Sequence, residues 1–268
     1  MPILSPSVLG SFQTVRVGGQ AYLLESFSQT QNNPVEPKTM IQGTLGTKIM
    51  DVGGITYKTS VNSSALIGSA SGYSDVFALI DYYWKNIRSG SPSLPLLEKA
   101  EIKVSKDGVT CSANFLSDSP GSFTVTPGSA GDVLARVAKW YDTVFYVNGG
   151  TTNSIVGAVE SANIDLSTKI TPRFFVGATD QLPFFSIETY SISGSVTIVA
   201  DANSFSLPEN FIGLQTRGTL TLTGPTNIGL TVGGVSISLG VASMKSSIDK
   251  SVKAGDVLRI TFNFQSYT

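Results

Sequence analysis

Apolar and polar residues alternate with period two along most of the chain, the pattern of strands that bury one face. In the first third, Ile41, Leu45 and Ile49 are interleaved with Gln42, Thr44 and Lys48. Asp51-Val52-Gly53-Gly54-Ile55 then reads as a hairpin turn, because paired glycines supply the positive φ of a tight loop. Ile55, Tyr57, Thr59 and Val61 mark the return strand. The period then changes. Val76, Phe77, Leu79, Ile80, Tyr83, Trp84 and Ile87 fall on one stripe at helical spacing, which predicts a helix over 74–88. Ser74 or Asp75 suits its N-cap, and Ser89-Gly90 ends it. An aromatic stripe of this kind plugs a β-sandwich or barrel more often than it holds a ligand.

Alternation resumes at Leu97, with Ala100, Ile102 and Val104 set between Lys99, Glu101 and Lys103. Lys106-Asp107-Gly108 turns the chain into a strand over 109–115. Asp132–Tyr141 is ambiguous and reads as a short helix or irregular entry into a strand ending at Asn148-Gly149-Gly150. Beyond it the pattern is nearly all strand. Ala162, Ile164 and Leu166 share one face of the first strand, and Tyr190, Ile192, Val196 and Ile198 share one face of the next. Leu220 and Leu222 mark a short strand, and Leu230–Leu239 a hairpin around Gly233-Gly234. Leu258, Ile260, Phe262 and Phe264 point inward from the last strand. Residues 97–105 and 159–167 share the pattern apolar-Glu-x-Ala-x-Ile-x-apolar-Ser. Two alternating strands can match by chance. A duplicated β module would also produce the match.

The fold class is therefore all-β, a β-sandwich or barrel in one domain or two tandem β domains, with one flanking helix at about 74–88. Residues 1–37, with Gln29–Asn33, Pro34 and Pro37, read as an N-terminal arm, mobile in a lone subunit or docked on a neighbour. Residues 38–148 form the first β domain with the helix. Residues 149–268 form a second β domain or the second half of one enlarged domain, with a linker at Gly149–Ser154.

Composition narrows the chemistry. Only 14% of the 268 residues are charged, against roughly 25% for an average soluble domain. Ser, Thr, Gly and Asn take up the surface instead, and such surfaces lose little entropy when buried against other subunits. The bland alternative is a secreted, low-charge β domain. With 18 basic and 19 acidic residues the net charge is −1, which removes the electrostatic case for nucleic-acid binding. A conduit through which DNA passes unbound is still compatible with it. There is no histidine, so imidazole-based nucleophile systems and metal ligands are excluded. Cys111 is the single cysteine and reads as a buried thiol. No phosphate-binding or dinucleotide-binding glycine loop is present. Residues 1–13 lack the features of a signal peptide, and no apolar run approaches the ~18 residues of a membrane helix. The expectation is a chain made in a cytoplasm and soluble until it assembles.

The second half resembles the bacteriophage tail tube proteins, within the tail tube and baseplate hub group. The residues that carry the likeness are Glu160–Leu166, the long strand Pro183–Ala200, and Lys253-Ala254-Gly255-Asp256-Val257 running into Leu258–Phe264. The likeness spans some 120 residues and contains no invariant chemical motif. It implies a β-sandwich or barrel flanked by a helix, whose strands join between subunits around a lumen. The helix at 74–88 would be the flanking helix, and the hairpin Ile41–Val61 the extended loop between rings. Simple tube proteins are shorter, so this chain carries insertions or a second tube-like domain. Rings of six copies, or of three with six-fold pseudo-symmetry, are both open. The implied partners are further copies of the chain, with a tail sheath, baseplate and terminator proteins, in a virion tail assembled in the host cytoplasm.

The first reading is thus a non-enzymatic, self-assembling virion tube subunit without catalytic, cofactor or metal residues. A second is another β-rich virion assembly or adhesion protein (decoration, fibre or baseplate), for which Phe184-Phe185 and Tyr22 are the aromatic hints. A third is a glycosidase with two carboxylates about 5–10 Å apart, for which Glu160 and Glu188 are nearest by position. Asn62-Ser63-Ser64 matches a glycosylation sequon, read as coincidence, and Asp256 reads as a turn residue.

Overall fold

A computed structural model describes residues 13–32, 35–40, 47–52, 55–69, 73–126, 134–148, 153–173, 183–199, 215–216, 219–220, 226–251 and 259–266. The chain opens with β1 (Gln13–Val17), β2 (Gln20–Leu24), β3 (Ser26–Asn32), β4 (Val35–Met40), β5 (Thr47–Val52), β6 (Thr56–Ser64), β7 (Leu66–Ser69) and β8 (Tyr73–Ser74). Helix α1 (Val76–Arg88) follows. Next come β9 (Leu96–Val104), β10 (Val109–Ser117), β11 (Thr124–Thr126), β12 (Leu134–Val137) and β13 (Thr143–Asn148). The rest is β14 (Asn153–Arg173), β15 (Phe184–Val199), β16 (Gln215–Thr216), β17 (Thr219–Leu220), β18 (Thr226–Val232), β19 (Val235–Ser251) and β20 (Arg259–Ser266). The fold is all-β with one flanking helix.

Its backbone is an antiparallel span of eight strands in the order β3-β6-β10-β9-β14-β15-β20-β19. Two further strands double back over one end. β13 pairs with the start of β14, at Asn153–Ala158, and with β18. β18 in turn pairs with the start of β19. The path β14-β15-β20-β19-β18-β13 therefore closes into a six-stranded barrel. The long strand β14 serves both parts. Its first residues close the barrel, and Ala162–Ser167 lie between β15 and β9.

The inner face of the span holds the core. Ala100, Ile102 and Val104 of β9, Ala162, Ile164 and Leu166 of β14, and Ile192, Val196 and Ile198 of β15 are all buried in one apolar cluster. That cluster contains residues from both sides of position 149. Helix α1 covers its middle, and the small sheet β11-β1-β2-β8 adds Val15, Val17, Tyr22 and Leu24. The seven stripe residues expected to face inward are the buried residues of α1. Asp75 caps it, one carboxylate oxygen accepting from the Ala78 amide (2.9 Å) and the other from Leu66 (2.8 Å). Tyr83 meets Phe115 edge-on, and Trp84 does the same with Tyr190. The Trp84 indole donates to the Leu239 carbonyl (2.8 Å). Inside the barrel, Phe145 stacks on Phe264 with centroids 6.2 Å apart.

The structure corrects several sequence expectations. The strand before Gly53-Gly54 does not pair with the strand after it: β5 pairs with β4, while β6 lies between β3 and β10. Both edges of β6 are thereby taken in register, which leaves no side for β5. Gly53 and Gly54, the centre of the expected turn, lie outside the described residues, as do residues 41–46. Residues 13–32 are strands, not an arm; Val15 and Leu24 are fully buried, and the β1–β2 hairpin turns at Gly18 (φ 56°) and Gly19 (φ 85°). Over residues 134–148 the irregular entry, of the two readings the sequence left open, is the one found, and it leads into a strand that ends at Asn148. β12 pairs with β7, and a 3-10 turn at Trp140–Asp142 leads into β13. There Arg136 grips both Asp142 oxygens (2.5 Å each), and the Lys139 amide donates to one of them (2.9 Å). The hairpin at Gly233-Gly234 and the turn at 106–108 fall where the pattern puts them. Asn153 and Ser154, placed in a linker by sequence, begin β14. Tyr190 shares the parity of Ile192 and meets the Trp84 ring edge-on, yet it remains 42% exposed. Leu222, Lys253–Val257 and Leu258 lie outside the described residues, as do the side chains of Ile260 and Phe262.

Candidate functional surface: a polar, charge-balanced sheet face

The outer face of the eight-strand span follows directly from the alternation. Where one parity of each strand is buried, the other carries Ser, Thr, Asn and Lys. β6 presents Lys58, Ser60 and Asn62, and β10 presents Ser112 and Asn114. β14 presents Ser161, Asn163, Asp165, Ser167 and Lys169, and β15 presents Ser191, Ser193 and Ser195. Five ion pairs lie on this face: Lys58–Glu98 (2.7 Å), Lys99–Asp165 (3.8 Å), Lys103–Glu101 (2.8 Å), Lys169–Glu188 (2.5 Å) and Arg259–Glu160 (2.6 Å). Each of these five cations meets one anion, and Arg173, outward on the same strand as Lys169, adds its charge near Glu188.

Three of these anions share an unusual backbone position. In β9–β10 the register runs Asn114↔Lys99 and then Phe115↔Leu97, leaving out Glu98. In β14–β15 it runs Val159↔Ile198, then Ser161↔Thr197, leaving out Glu160. Further along, Lys169↔Thr189 and Ile170↔Ile187 leave out Glu188. Each glutamate is thus the extra residue of a β-bulge, which has no cross-strand neighbour and can be re-aimed. Glu98 reaches past β10 to Lys58 on β6, and Glu160 reaches past β15 to Arg259 on β20. Glu188 accepts from the Thr171 hydroxyl (2.6 Å) as well as pairing with Lys169, and these bonds hold its carboxyl below the usual range.

This geometry disposes of the carboxylate pair. Glu160 and Glu188 are separated by between nine and ten residues of β14, roughly 30 Å at strand rise. A glycosidase pair must lie within about 10 Å. Each is also engaged by its own cation. The other singled-out residues have structural places. Cys111 is buried, and burial, with a smaller push from Asp75, raises its thiol well above the usual value. Tyr22 is in the core and burial raises its phenol, so it cannot join an exposed aromatic cluster. Phe184 is 59% exposed on β15, with Phe185 half-buried beside it. Asn62 lies inside the paired strand β6, and Asp256 lies outside the described residues.

Among the described residues no three His, Cys, Asp or Glu side chains are grouped to hold a metal ion. The depression lined by Lys99, Glu101, Ser112 and Asn114 holds about 110 Å³, well under the ~300 Å³ where small-molecule sites begin. No helix among the described residues is long and apolar enough to cross a membrane. The bulge positions of these glutamates and their cation partners were not legible in the sequence, since two of the pairs join residues 40 and 99 positions apart (98 − 58 and 259 − 160). One signal did point to them: the matched segments 97–105 and 159–167 carry Glu98 and Glu160 at the same place. No family model matches the sequence, and no curated protein matches it significantly.

Proposed function

We propose that this chain is a structural subunit whose copies form rings that stack into a bacteriophage tail tube, a conduit for DNA during ejection. One observation carries the reading: a broad sheet face rich in hydroxyls and amides, on which five cations are matched by five anions. A polyanion moving along a wall binds wherever uncompensated Lys and Arg accumulate. A wall that is hydrophilic and locally neutral gives it no place to stop. The likeness of the second half to tail tube proteins supports the same reading, as does a chain whose wide sheet is backed by a single helix. In that role the chain works without a catalytic residue or cofactor. Its partners are other copies of itself and the sheath, baseplate and terminator proteins of a virion tail.

The test is negative-stain electron microscopy of the purified protein over a concentration series, with particle mass measured in parallel. Rings or stacked tubes with a central hole are expected at high concentration, and mass per ring decides between three and six copies. A chain that never forms a ring, with or without preformed tube ends as initiator, overturns the reading.

A further inference from the structure

The eight-strand span ends on two strands whose outer edges no other strand covers among the described residues. At one end is β3, Ser26–Asn32, paired only with β6. At the other is the second half of β19: Ile248–Ser251 pair with β20, while β18 reaches only as far as Ala242. These two edges are equivalent within the chain. Ile102 of β9 stands opposite Ile164 of β14, and a two-fold operation about that pair matches the strand register of the two halves of the span. It carries β9 onto β14, β10 onto β15, β6 onto β20 and β3 onto the second half of β19. The correspondence holds at side-chain level. Lys58–Glu98 maps onto Arg259–Glu160, bulge onto bulge. The Ser60–Asn114 hydrogen bond (2.8 Å) maps onto Thr197–Thr261 (2.9 Å).

We infer that the outer edge of β3 is a strand-acceptor site, and that its occupant is the Ile248–Ser251 edge of β19 from a second copy of this chain. The inference rests on the self-assembly reading. Strand direction supports this choice of occupant. All seven pairings in the span are antiparallel, so direction alternates and the first strand, β3, runs opposite to the eighth, β19. A second copy in the same orientation therefore brings its β3 antiparallel to the first copy's β19. The sheet continues without a change of rule, and every added copy presents the same free edge again. Such a head-to-tail contact makes a ring when its rotation closes. β3 also lacks the usual protection of an exposed edge: Ser-Phe-Ser-Gln-Thr-Gln-Asn contains no charge and no proline. Its Ser26, Ser28, Thr30, Gln31 and Asn32 are exposed.

The arrangement fixes a dimension. Eight strands at roughly 4.8 Å spacing add about 38 Å of wall per copy. Three copies would then give a wall of about 115 Å around and six about 230 Å, for strands parallel to the ring axis.

The test uses the full chain with Thr30→Pro, Gln31→Pro and Thr30→Lys. Adjacent amides in a strand face opposite sides, so one proline removes a bond to β6 and the other only blocks the outer edge. Thermal midpoints identify which is which. Size, mass and negative-stain images of wild type and variants then decide. Expected is assembly by the wild type, at about 38 Å of circumference per copy, and its loss in Thr30→Lys and in the proline variant with an unchanged midpoint. Rings that persist in both variants overturn the edge inference and leave the tube reading standing. Wild-type dimers or open chains that vanish in both variants sustain the edge and overturn the tube. A wild type that is monomeric throughout overturns both.

Discussion

The two halves of the eight-strand span repeat one another on their outer face and differ in what covers them behind. On the β6-β10-β9 half, a bulged glutamate reaches Lys58, and a hydroxyl bond joins Ser60 to Asn114. On the β14-β15-β20 half the same two contacts are made by Glu160 with Arg259 and by Thr197 with Thr261. The covers differ, and α1 touches both halves. The first half is backed by α1 and the small sheet of β1 and β2, through Tyr83 on Phe115 and Phe123 on Phe115. The second is backed by its own strands, β13 and β18 doubling over to set Phe145 on Phe264. Apolar contact is non-directional, so any stripe of the right size covers a sheet. Register has no such freedom, because a one-residue slip turns every side chain to the other face. The repeated features are the ones that fix register.

That contrast can be broken most forcefully at Trp84, where α1 touches the second half through Tyr190 and the Leu239 carbonyl. Trp84→Ala is expected to cost about 3–5 kcal/mol, from the void and an unpaired buried carbonyl, read by urea denaturation. Because Tyr83 holds the first half and Trp84 the second, wild type should unfold in one transition by tryptophan fluorescence and circular dichroism. Two separated transitions would mean that the halves are independent domains.

Next in size is the doubled-over cover itself. A Cβ on Gly229 would lie 2.1 Å from the Tyr146 ring and 2.6 Å from the Ile237 carbonyl oxygen. Gly229→Ala is therefore expected to lose about 1–3 kcal/mol by overpacking, with the change seen in thermal melting. A neutral result would mean that β13 can shift on β18 without cost.

The repeated ion pairs should be smaller and alike. Glu98→Gln and Glu160→Gln are each expected to cost up to about 1 kcal/mol, since both pairs are partly exposed. Equal losses that add in the double variant would sharpen the equivalence of the halves. A large loss at one site alone would show that only that bulge holds register.

The smallest effect lies at the entry to β13. Hydrogen bonds from Arg136 hold the Asp142 carboxyl below its ordinary range. A carboxyl lowered on folding stabilises fully above its unfolded value, near pH 3.9, and its contribution fades as pH falls through the folded value. Asp142→Asn should lower the melting temperature slightly at pH 7, with the gap to wild type closing as the pH drops below about 3.9. A gap that widens in acid would contradict the assignment.

What the sequence made legible was local. The stripe of α1 identified all seven buried helix residues, because helical spacing alone decides which side chains share a face. Gly233-Gly234 turned out to be a hairpin and Gly53-Gly54 did not join its flanking strands, although the two dipeptides look alike. The difference lies in competitors: β6 is claimed on both sides by β3 and β10, which are distant in sequence. The polar run Gln29–Asn33 reads as part of an arm because an edge strand needs little apolar content; in the structure Gln29 bonds to Thr59 (3.1 Å). The repeat of Glu98 and Glu160 was visible in sequence. That its two copies lie antiparallel against each other was not, since alternation fixes faces but not neighbours.

The double service of β14 has a kinetic consequence. Residues 162–167 are bonded to β15 on one side and β9 on the other, at the middle of the span. Their amides have no local opening that reaches solvent without parting three strands, so they should be the last to take up deuterium, exchanging at the rate of global unfolding. The ends of the same strand should exchange sooner. A single strand thus carries a gradient of lifetimes, longest where the two halves meet.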